Sequence, residues 1–235
     1  MRSNRFLQSL LVLAITAGCG RTVVPAKGEP ISRTEVLEIA RSYAEHHWKA
    51  TPKNVLHGPD HDKVAVNTPD RGAQGGADNP ALWTVDAENV GVPYKWGGFD
   101  SLTSFDAGVR SGKAAGDLYS SDKRRMGGDA VSGEAVGVDC SGFISRCWKL
   151  KQKCGTSTLI PLCEKLKSPS DLLPGDVMNA AYGHVILFVK WLDDSKTRAL
   201  FYESQPFSKV LTSEYAITDL VAEGMHPLRY RQIHD

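Results

Sequence analysis

Hydrophobic and polar positions divide the chain into an apolar run near its start and several segments of regular periodicity. The run covers residues 6–15 and follows Arg2 and Arg5. It is shorter than the ~20 residues that a membrane-spanning helix needs, and its basic flank is typical of a secretory signal. We therefore predict a signal peptide over 1–18, a tether over 19–30 and a single folded domain over 31–235.

The signal ends in Ala17-Gly18-Cys19, which is close to the pattern at which bacterial lipoproteins are cleaved and acylated, although Thr16 stands where an aliphatic residue is usual. We expect a lipid anchor on Cys19 and an extracytoplasmic location, in the periplasm or at the cell surface. Ordinary signal cleavage without a lipid is the alternative. Removal of residues 1–18 takes away two arginines and no acid, which changes the net charge from +1 to −1. A net charge of −1 does not indicate a basic surface of the kind that binds nucleic acid.

The first periodic segment begins with a capping box, Ser32 with Glu35, inside a hydrophobic staple, Ile31 with Val36. These signals predict the start of a helix. Its apolar stripe consists of Val36, Ile39, Ala40, Tyr43, Ala44 and Trp48. Such a stripe packs on a core, so we assign residues 31–92 to a helical extension of the same domain.

A second helical stripe follows Cys140, with apolar residues at Phe143, Ile144, Cys147 and Trp148. Asp139 is a good N-cap, so the helix is predicted to begin at Cys140. The N-terminus of a helix carries partial positive charge and favours the thiolate form of a cysteine placed there. Cys140 is therefore a candidate nucleophile. The competing interpretation is a small buried hydrophobic residue.

Residues 184–192 are apolar at odd and even positions except for His184 and Lys190, which predicts a strand covered on both faces. Residues 193–196 are predicted to form a turn, and residues 200–204 are predicted to form the returning strand. A histidine at the open end of the first strand can face a helix N-terminus as a general base. Such a base needs a third group that orients it, for which Glu203 is the candidate and Gln205, on the same face, the alternative. A purely structural histidine is the competing interpretation.

Four motifs carry a family resemblance, and they are Pro93-Tyr94-Lys95-Trp96-Gly97-Gly98, Asp139-Cys140-Ser141-Gly142-Phe143, Leu173-Pro174-Gly175-Asp176-Val177 and Gly183-His184-Val185-Ile186. Over residues 93–204 the chain resembles the NlpC-type family of bacterial cell-wall cysteine peptidases. The resemblance implies a papain-like α+β fold, in which N-terminal helices pack on an antiparallel β-sheet. It also implies hydrolysis of amide bonds in peptidoglycan stem or cross-link peptides, which makes a peptidoglycan peptide the expected partner.

The resemblance assigns roles to single residues. Cys140 is the implied nucleophile, His184 the implied base, and Tyr94 a hydroxyl on the substrate or oxyanion side, where the neighbours of the cysteine, Asp139 and Ser141, also lie. In the family the group that orients the histidine is commonly histidine, asparagine or glutamine, so Glu203 is a departure. A carboxylate there would raise the pKa of the histidine more than an amide would.

Two further departures concern the substrate. Residues 155–159 contain no acid, whereas similar family members carry one after the nucleophile helix to bind a free amine. Residues 99–138 form an insertion between the Trp-Gly-Gly motif and the cysteine, and we expect it to border the active site as a wall or lid. Within it, Lys123, Arg124 and Arg125 face either an acidic ligand or solvent.

The remaining cysteines, Cys147, Cys154 and Cys163, permit one disulfide in an oxidising compartment. Cys154 with Cys163 and Cys147 with Cys163 are the two pairings considered. The run from His57 to Asp62 hints at a metal, but Gly58-Pro59 interrupts the regular spacing of ligands. We expect no metal and no other cofactor.

A cysteine peptidase is thus the leading interpretation. The alternatives are an acyltransferase or amidase that acts on a different amide, and a non-catalytic lipoprotein that binds the cell envelope.

Overall fold

The computed structural model describes residues 28–71 and 81–235. The predicted signal peptide, most of the tether and the lipidation site Cys19 lie outside these residues. The helices are α1 (Arg33–Ala44), α2 (Leu102–Ser111), α3 (Ser121–Met126), α4 (Cys140–Cys147), α5 (Thr156–Leu159) and α6 (Ile217–Ala222). None of the helices in the described part of the chain has the length and apolar character that crossing a membrane requires.

The strands are β1 (Ile31–Ser32), β2 (His47–Lys49), β3 (His57–Pro59), β4 (Ala65–Asn67), β5 (Glu88–Val90), β6 (Ala114–Ala115), β7 (Ala135–Val136), β8 (Cys163–Lys165), β9 (Val177–Asn179), β10 (Val185–Trp191), β11 (Arg198–Ser204), β12 (Val210–Ala216), β13 (His226–Tyr230) and β14 (Ile233–His234). Six of them form the main sheet in the order β12-β11-β10-β9-β13-β8. All of its neighbouring strands are antiparallel. The protein is therefore a mixed α/β fold built on an antiparallel sheet, as the sequence predicted at this level.

Strand β10 shows why the centre of the sheet is apolar at odd and even positions. Val185 and Leu187 belong to the core beneath α1 and α4, whereas Ile186 and Phe188 belong to a second core on the opposite face. All four side chains are buried. The predicted strand with two covered faces is confirmed, with bounds one residue shorter at each end.

Helix α1 begins where the capping box predicts, because the Ser32 hydroxyl accepts a hydrogen bond from the Glu35 N–H at 3.1 Å. Val36, Ala40 and Tyr43 are its buried face. The helix ends at Ala44, so Trp48 lies on β2 and does not continue the stripe. Residues 31–92 therefore contain one α-helix and five short strands among their described residues, and are less helical than expected.

The insertion over residues 99–138 is a structured segment. Its first helix, α2, begins at the N-cap Ser101 and ends at Gly112, whose φ of 89° is in the left-handed region that glycine tolerates best. Strands β6 and β7 pair in parallel, and α3 lies between them. The last of these elements, β7, ends four residues before the start of α4.

The expected disulfide is absent among the described cysteines, since Cys140, Cys147, Cys154 and Cys163 are all free thiols. Both proposed pairings, Cys154 with Cys163 and Cys147 with Cys163, are therefore wrong for this structure. The side chains of Cys147, Cys154 and Cys163 pack in the main core. Burial raises the pKa of all three, to about 12 for Cys163, which keeps them as neutral thiols.

Candidate active site

Cys140 is the first residue of α4, and Asp139 caps the helix as predicted. Oδ1 of Asp139 accepts hydrogen bonds from the Gly142 N–H at 2.6 Å and from the Ser141 hydroxyl at 3.0 Å. The N–H groups of Cys140 and Ser141 have no acceptor among the described residues. Two backbone donors at the positive end of a helix thus remain beside the thiol, where an anion would be stabilised.

The Trp-Gly-Gly motif allows the backbone to approach this helix end closely. The Gly98 carbonyl accepts a hydrogen bond from the Asp139 N–H at 3.1 Å, and it occupies the space that a Cβ on Gly142 would need. A Cβ on Gly98 would in turn lie 2.5 Å from the Gly137 carbonyl oxygen. Glycine is required at both positions for steric reasons, because the obstructing atoms belong to the backbone and cannot rotate away.

His184 lies immediately before β10, in the turn that connects β9 to β10. Its Nε2 lies 2.8 Å from Oε2 of Glu203 on the neighbouring strand β11. Glu203 is only 1% exposed, and its other oxygen accepts a hydrogen bond from the Tyr215 hydroxyl at 2.8 Å. The structure therefore brings Glu203, and not Gln205, to the histidine.

The other ring nitrogen of His184, Nδ1, is buried and has no well-aligned hydrogen bond among the described residues. The Cys140 side chain lies close enough to the His184 ring to change its pKa. Burial lowers the pKa of His184, but the nearby Cys140 side chain and the Glu203 carboxylate outweigh it and raise the pKa from 6.5 to about 10. Burial also tends to raise the pKa of Glu203, yet the bonds from His184, Ser213 and Tyr215 hold it below its usual value. Cys140 and Glu203 thus both favour the protonated form of His184.

Tyr94 and Ser141, which were placed on the substrate or oxyanion side, both line the same cleft as Cys140. Tyr94 is 2% exposed, and its pKa is raised first by burial and then by the proximity of Cys140, so its hydroxyl stays a donor. The hydroxyl of Ser141 is bonded to Asp139. The side chain of Ser141 therefore supports the helix cap.

The cleft around Cys140 has a volume of about 800 Å³. One wall is aromatic, with Tyr119 packed edge-on against Trp96 and against Phe207 at ring-centroid distances of 5.7 Å. Tyr119, Arg124, Gly127 and other residues of the insertion line it. The prediction that residues 99–138 border the site is confirmed.

The three basic residues of α3, Lys123 to Arg125, were expected to face either an acidic ligand or solvent. Their environments differ, so neither alternative holds for all three. Lys123 is buried and pairs with Asp117 at 2.7 Å. Burial raises the pKa of Asp117 to about 6 although the Lys123 ammonium lowers it. Arg124 lines the cleft and donates to the Tyr182 carbonyl at 2.6 Å. Arg125 is exposed and pairs with Asp122.

Lys153 is a residue of the cleft that sequence reasoning missed. Its Nζ lies 2.9 Å from Oδ2 of Asp139, and its side chain lines the cleft beside Gly155 and Ser157. The wall of the cleft that follows α4 thus carries a cation, whereas residues 155–159 contribute no acid. Lys153 lies in the irregular connection between α4 and α5, so the pattern of hydrophobic and polar residues did not indicate where its side chain points.

The segment from His57 to Asp62 forms hydrogen bonds to protein groups. His57 contacts Asn67 and Asp70, and Asp60 accepts from the Ser132 hydroxyl and the Val64 N–H. Within residues 28–71 and 81–235, no group of three or more His, Cys, Asp or Glu side chains converges in a way that could hold a metal ion.

Comparison with models of known protein families and with curated protein sequences finds no match for this chain.

Proposed function

We propose that the protein is a cysteine amidohydrolase of the papain-like, NlpC type, which cleaves amide bonds in peptidoglycan stem or cross-link peptides outside the cytoplasm. The observation that carries the proposal is the contiguous set of Cys140 at a helix N-terminus, His184 beside it and buried Glu203 on the far side of the histidine. A nucleophile, a base and an orienting carboxylate in this order are the components of covalent acyl transfer.

The mechanism follows from the positions of these groups. The Cys140 sulfur attacks the carbonyl carbon of the scissile amide, and the oxyanion that forms is stabilised by the N–H groups of Cys140 and Ser141 with the Tyr94 hydroxyl. Protonated His184 gives its proton to the leaving amine, and the carbon–nitrogen bond breaks to leave a thioester. His184 then takes a proton from water, which attacks the thioester and releases the acid and the thiolate.

The substrate assignment draws on the family resemblance. The charged side chains that line the cleft nearly balance, since Lys153 pairs with Asp139, and Arg124 is accompanied by the exposed Glu223. The charge of the cleft therefore does not select among peptide substrates.

Digestion of purified peptidoglycan, read by mass spectrometry of the released fragments, tests the proposal. The protein should release muropeptides cut at one amide bond, the Cys140→Ala variant should release none, and the matched Cys154→Ala variant, which changes a buried thiol outside the cleft, should remain active. Addition of an amine acceptor distinguishes hydrolysis from acyl transfer, because a transferase yields amide adducts. Equal products from the protein and Cys140→Ala would overturn a role for the cysteine.

A further inference from the structure

The catalytic cleft has an aromatic side that the proposed catalytic residues do not use. Trp96, Tyr119 and Phe207 line it, with the Tyr119 ring edge-on to the other two. The Trp96 indole N–H donates to the Gly127 carbonyl at 3.1 Å, and the Tyr119 backbone N–H donates to the Pro206 carbonyl at 3.2 Å. These contacts fix the rings in position before a ligand binds, which lowers the entropic cost of binding.

Two aromatic side chains of the cleft are exposed to solvent. Phe207 is 46% exposed, and Tyr182, which also lines the cleft, is 75% exposed. Tyr182 lies two residues before His184, and its φ of 59° is in the left-handed region that a bulky residue rarely adopts. Exposed apolar surface and a strained backbone are both features of binding sites. Tyr182 and Phe207 are therefore placed for direct contact with a ligand.

The polar residues of the cleft leave hydroxyl groups for a ligand. The hydroxyls of Tyr119, Thr156 and Ser157 make no hydrogen bond to any residue in the described part of the chain, and all three residues line the cleft. None of these oxygens is enclosed by protein, so each can be reached from the cleft. The cleft thus combines fixed aromatic rings with accessible hydroxyls.

We propose that the aromatic side of the cleft binds a sugar ring, so that the substrate is a stem peptide still attached to its glycan strand. A pyranose ring presents polarised C–H groups on its faces, which the negative faces of aromatic rings attract. It presents hydroxyl and amide groups at its edges, which hydrogen-bond to hydroxyls. An aliphatic side chain would contact the rings but would leave the hydroxyls without partners. A charged group would gain little, because the charges of the cleft nearly balance.

On the proposed function, on which this inference rests, the cleft distinguishes two states of the stem peptide. A peptide that has been cut from its glycan begins with a free amine, and residues 155–159 contribute no acid that would bind it. An attached peptide has an uncharged, acylated first nitrogen with a sugar beside it. The cleft volume of about 800 Å³ is large among small-ligand sites, which leaves room for a sugar next to the peptide.

Titration of the isotope-labelled protein with the trimer of N-acetylglucosamine, followed by the tryptophan side-chain resonances in nuclear magnetic resonance spectra, tests the proposal. The Trp96 indole resonance, assigned with Trp96→Phe, should shift as the trimer binds. Phe207→Ser and Tyr182→Asn should each weaken binding roughly fivefold, as the loss of one ring contact predicts. Leu192→Ser removes an exposed apolar side chain outside the cleft and should leave binding unchanged.

The Tyr182→Asn variant also separates binding from folding. Asparagine tolerates the left-handed region better than tyrosine, and the Tyr182 ring leaves most of its surface to solvent. The urea unfolding midpoint of Tyr182→Asn should therefore equal or exceed that of the parent, while its affinity for the trimer falls. A lower midpoint would show that Tyr182 stabilises the fold, and would overturn its assignment to the ligand.

Two further outcomes overturn the sugar site. One is an unchanged Trp96 resonance at the solubility limit of the trimer. The other is equal or tighter binding of N-acetylphenylalaninamide at Trp96, which would assign the aromatic side to an apolar side chain. The trimer carries no stem peptide, so its binding is independent of hydrolysis. Digestion of peptidoglycan without trimer binding would refute the sugar site alone, and trimer binding without digestion would refute the hydrolase alone.

Discussion

The carbonyl oxygen of Gly98 occupies the space in which a Cβ on Gly142 would stand, and the same carbonyl accepts the N–H of Asp139. The Trp-Gly-Gly loop is thereby fixed against the helix that carries Cys140. Position 142 must be glycine, even though glycine inside a helix is otherwise unfavourable relative to alanine by about 1 kcal/mol.

Gly142→Ala should therefore destabilise the protein. Overpacking against backbone costs about 1–3 kcal/mol and exceeds the gain in helix propensity. Urea unfolding measures the difference in the free energy of unfolding. Gly133→Ala is the matched control, because no atom lies within 4 Å of its added Cβ. A Gly142→Ala variant as stable as the parent would show that the close approach of Gly98 is wrong.

Replacement of Glu203 by glutamine should change how stability depends on pH. The folded-state pKa of His184 is raised from 6.5 to about 10, so its contribution to stability is complete below pH 6.5 and is lost as the pH rises toward 10. Glu203→Gln removes one cause of the raised pKa. The variant should be less stable than the parent near neutral pH, and the gap should narrow toward pH 10.

Urea unfolding midpoints across this pH range test the prediction, with Glu214→Gln as the control. Glu214 is an exposed carboxylate on β12 that pairs with Arg198, and its loss should give a small difference that does not vary over the same range. A constant gap between the parent and Glu203→Gln would contradict the assigned pairing with His184.

Arg124 bridges the two walls of the cleft through its hydrogen bond to the Tyr182 carbonyl. This hydrogen bond should contribute about 1 kcal/mol to the closed form of the entrance, which is the net value of one hydrogen bond. Removal of the Arg124 side chain should therefore open the entrance more often. Arg124→Ala should increase the rate at which a bulky maleimide labels Cys140 by roughly fivefold. The rate with iodoacetamide, a small reagent, should change little. Arg125→Ala, which removes an exposed neighbour, should change neither rate, and an equal effect of both variants would refute the bridge.

The pair of Asp117 and Lys123 fixes α3 to the body of the domain. Both side chains are buried, and Lys123 also donates to the Ala65 carbonyl. Lys123→Met should cost about 3–5 kcal/mol because it leaves a buried carboxylate without its partner. Asp117→Asn combined with Lys123→Met should recover a large part of that loss in urea unfolding. Additive losses in the double variant would show that the two residues act independently.

The sequence predicted the elements whose signals are local. The cap at Asp139, the capping box at Ser32 and the apolar run of β10 each depend on a few neighbouring residues, and the structure has them within one or two residues of the expected bounds. Glu203 was predictable because its strand follows β10 directly. Even the helices of the insertion had signals, since Ser101 and Gly112 are a typical cap and stop for α2.

The remaining features depend on contacts between distant parts of the chain. Lys123 contacts the Ala65 carbonyl, 58 residues away, and Arg124 contacts Tyr182 at the same separation. Lys153 reaches Asp139 from an irregular connection. A pattern of hydrophobic and polar positions contains no information about which distant partner a charged side chain meets, so the polar walls of the cleft required the structure.

The most direct test of the central claim, that Cys140 is a nucleophile activated by His184, is alkylation with iodoacetamide at neutral pH followed by peptide mapping. Cys140 should be labelled first, because Cys147, Cys154 and Cys163 are buried away from the cleft. His184→Ala should slow the labelling of Cys140 by tenfold or more, a loss of about 1.4 kcal/mol in activation. An equal rate in the parent and His184→Ala, or no preference for Cys140 over the buried thiols, would contradict the claim.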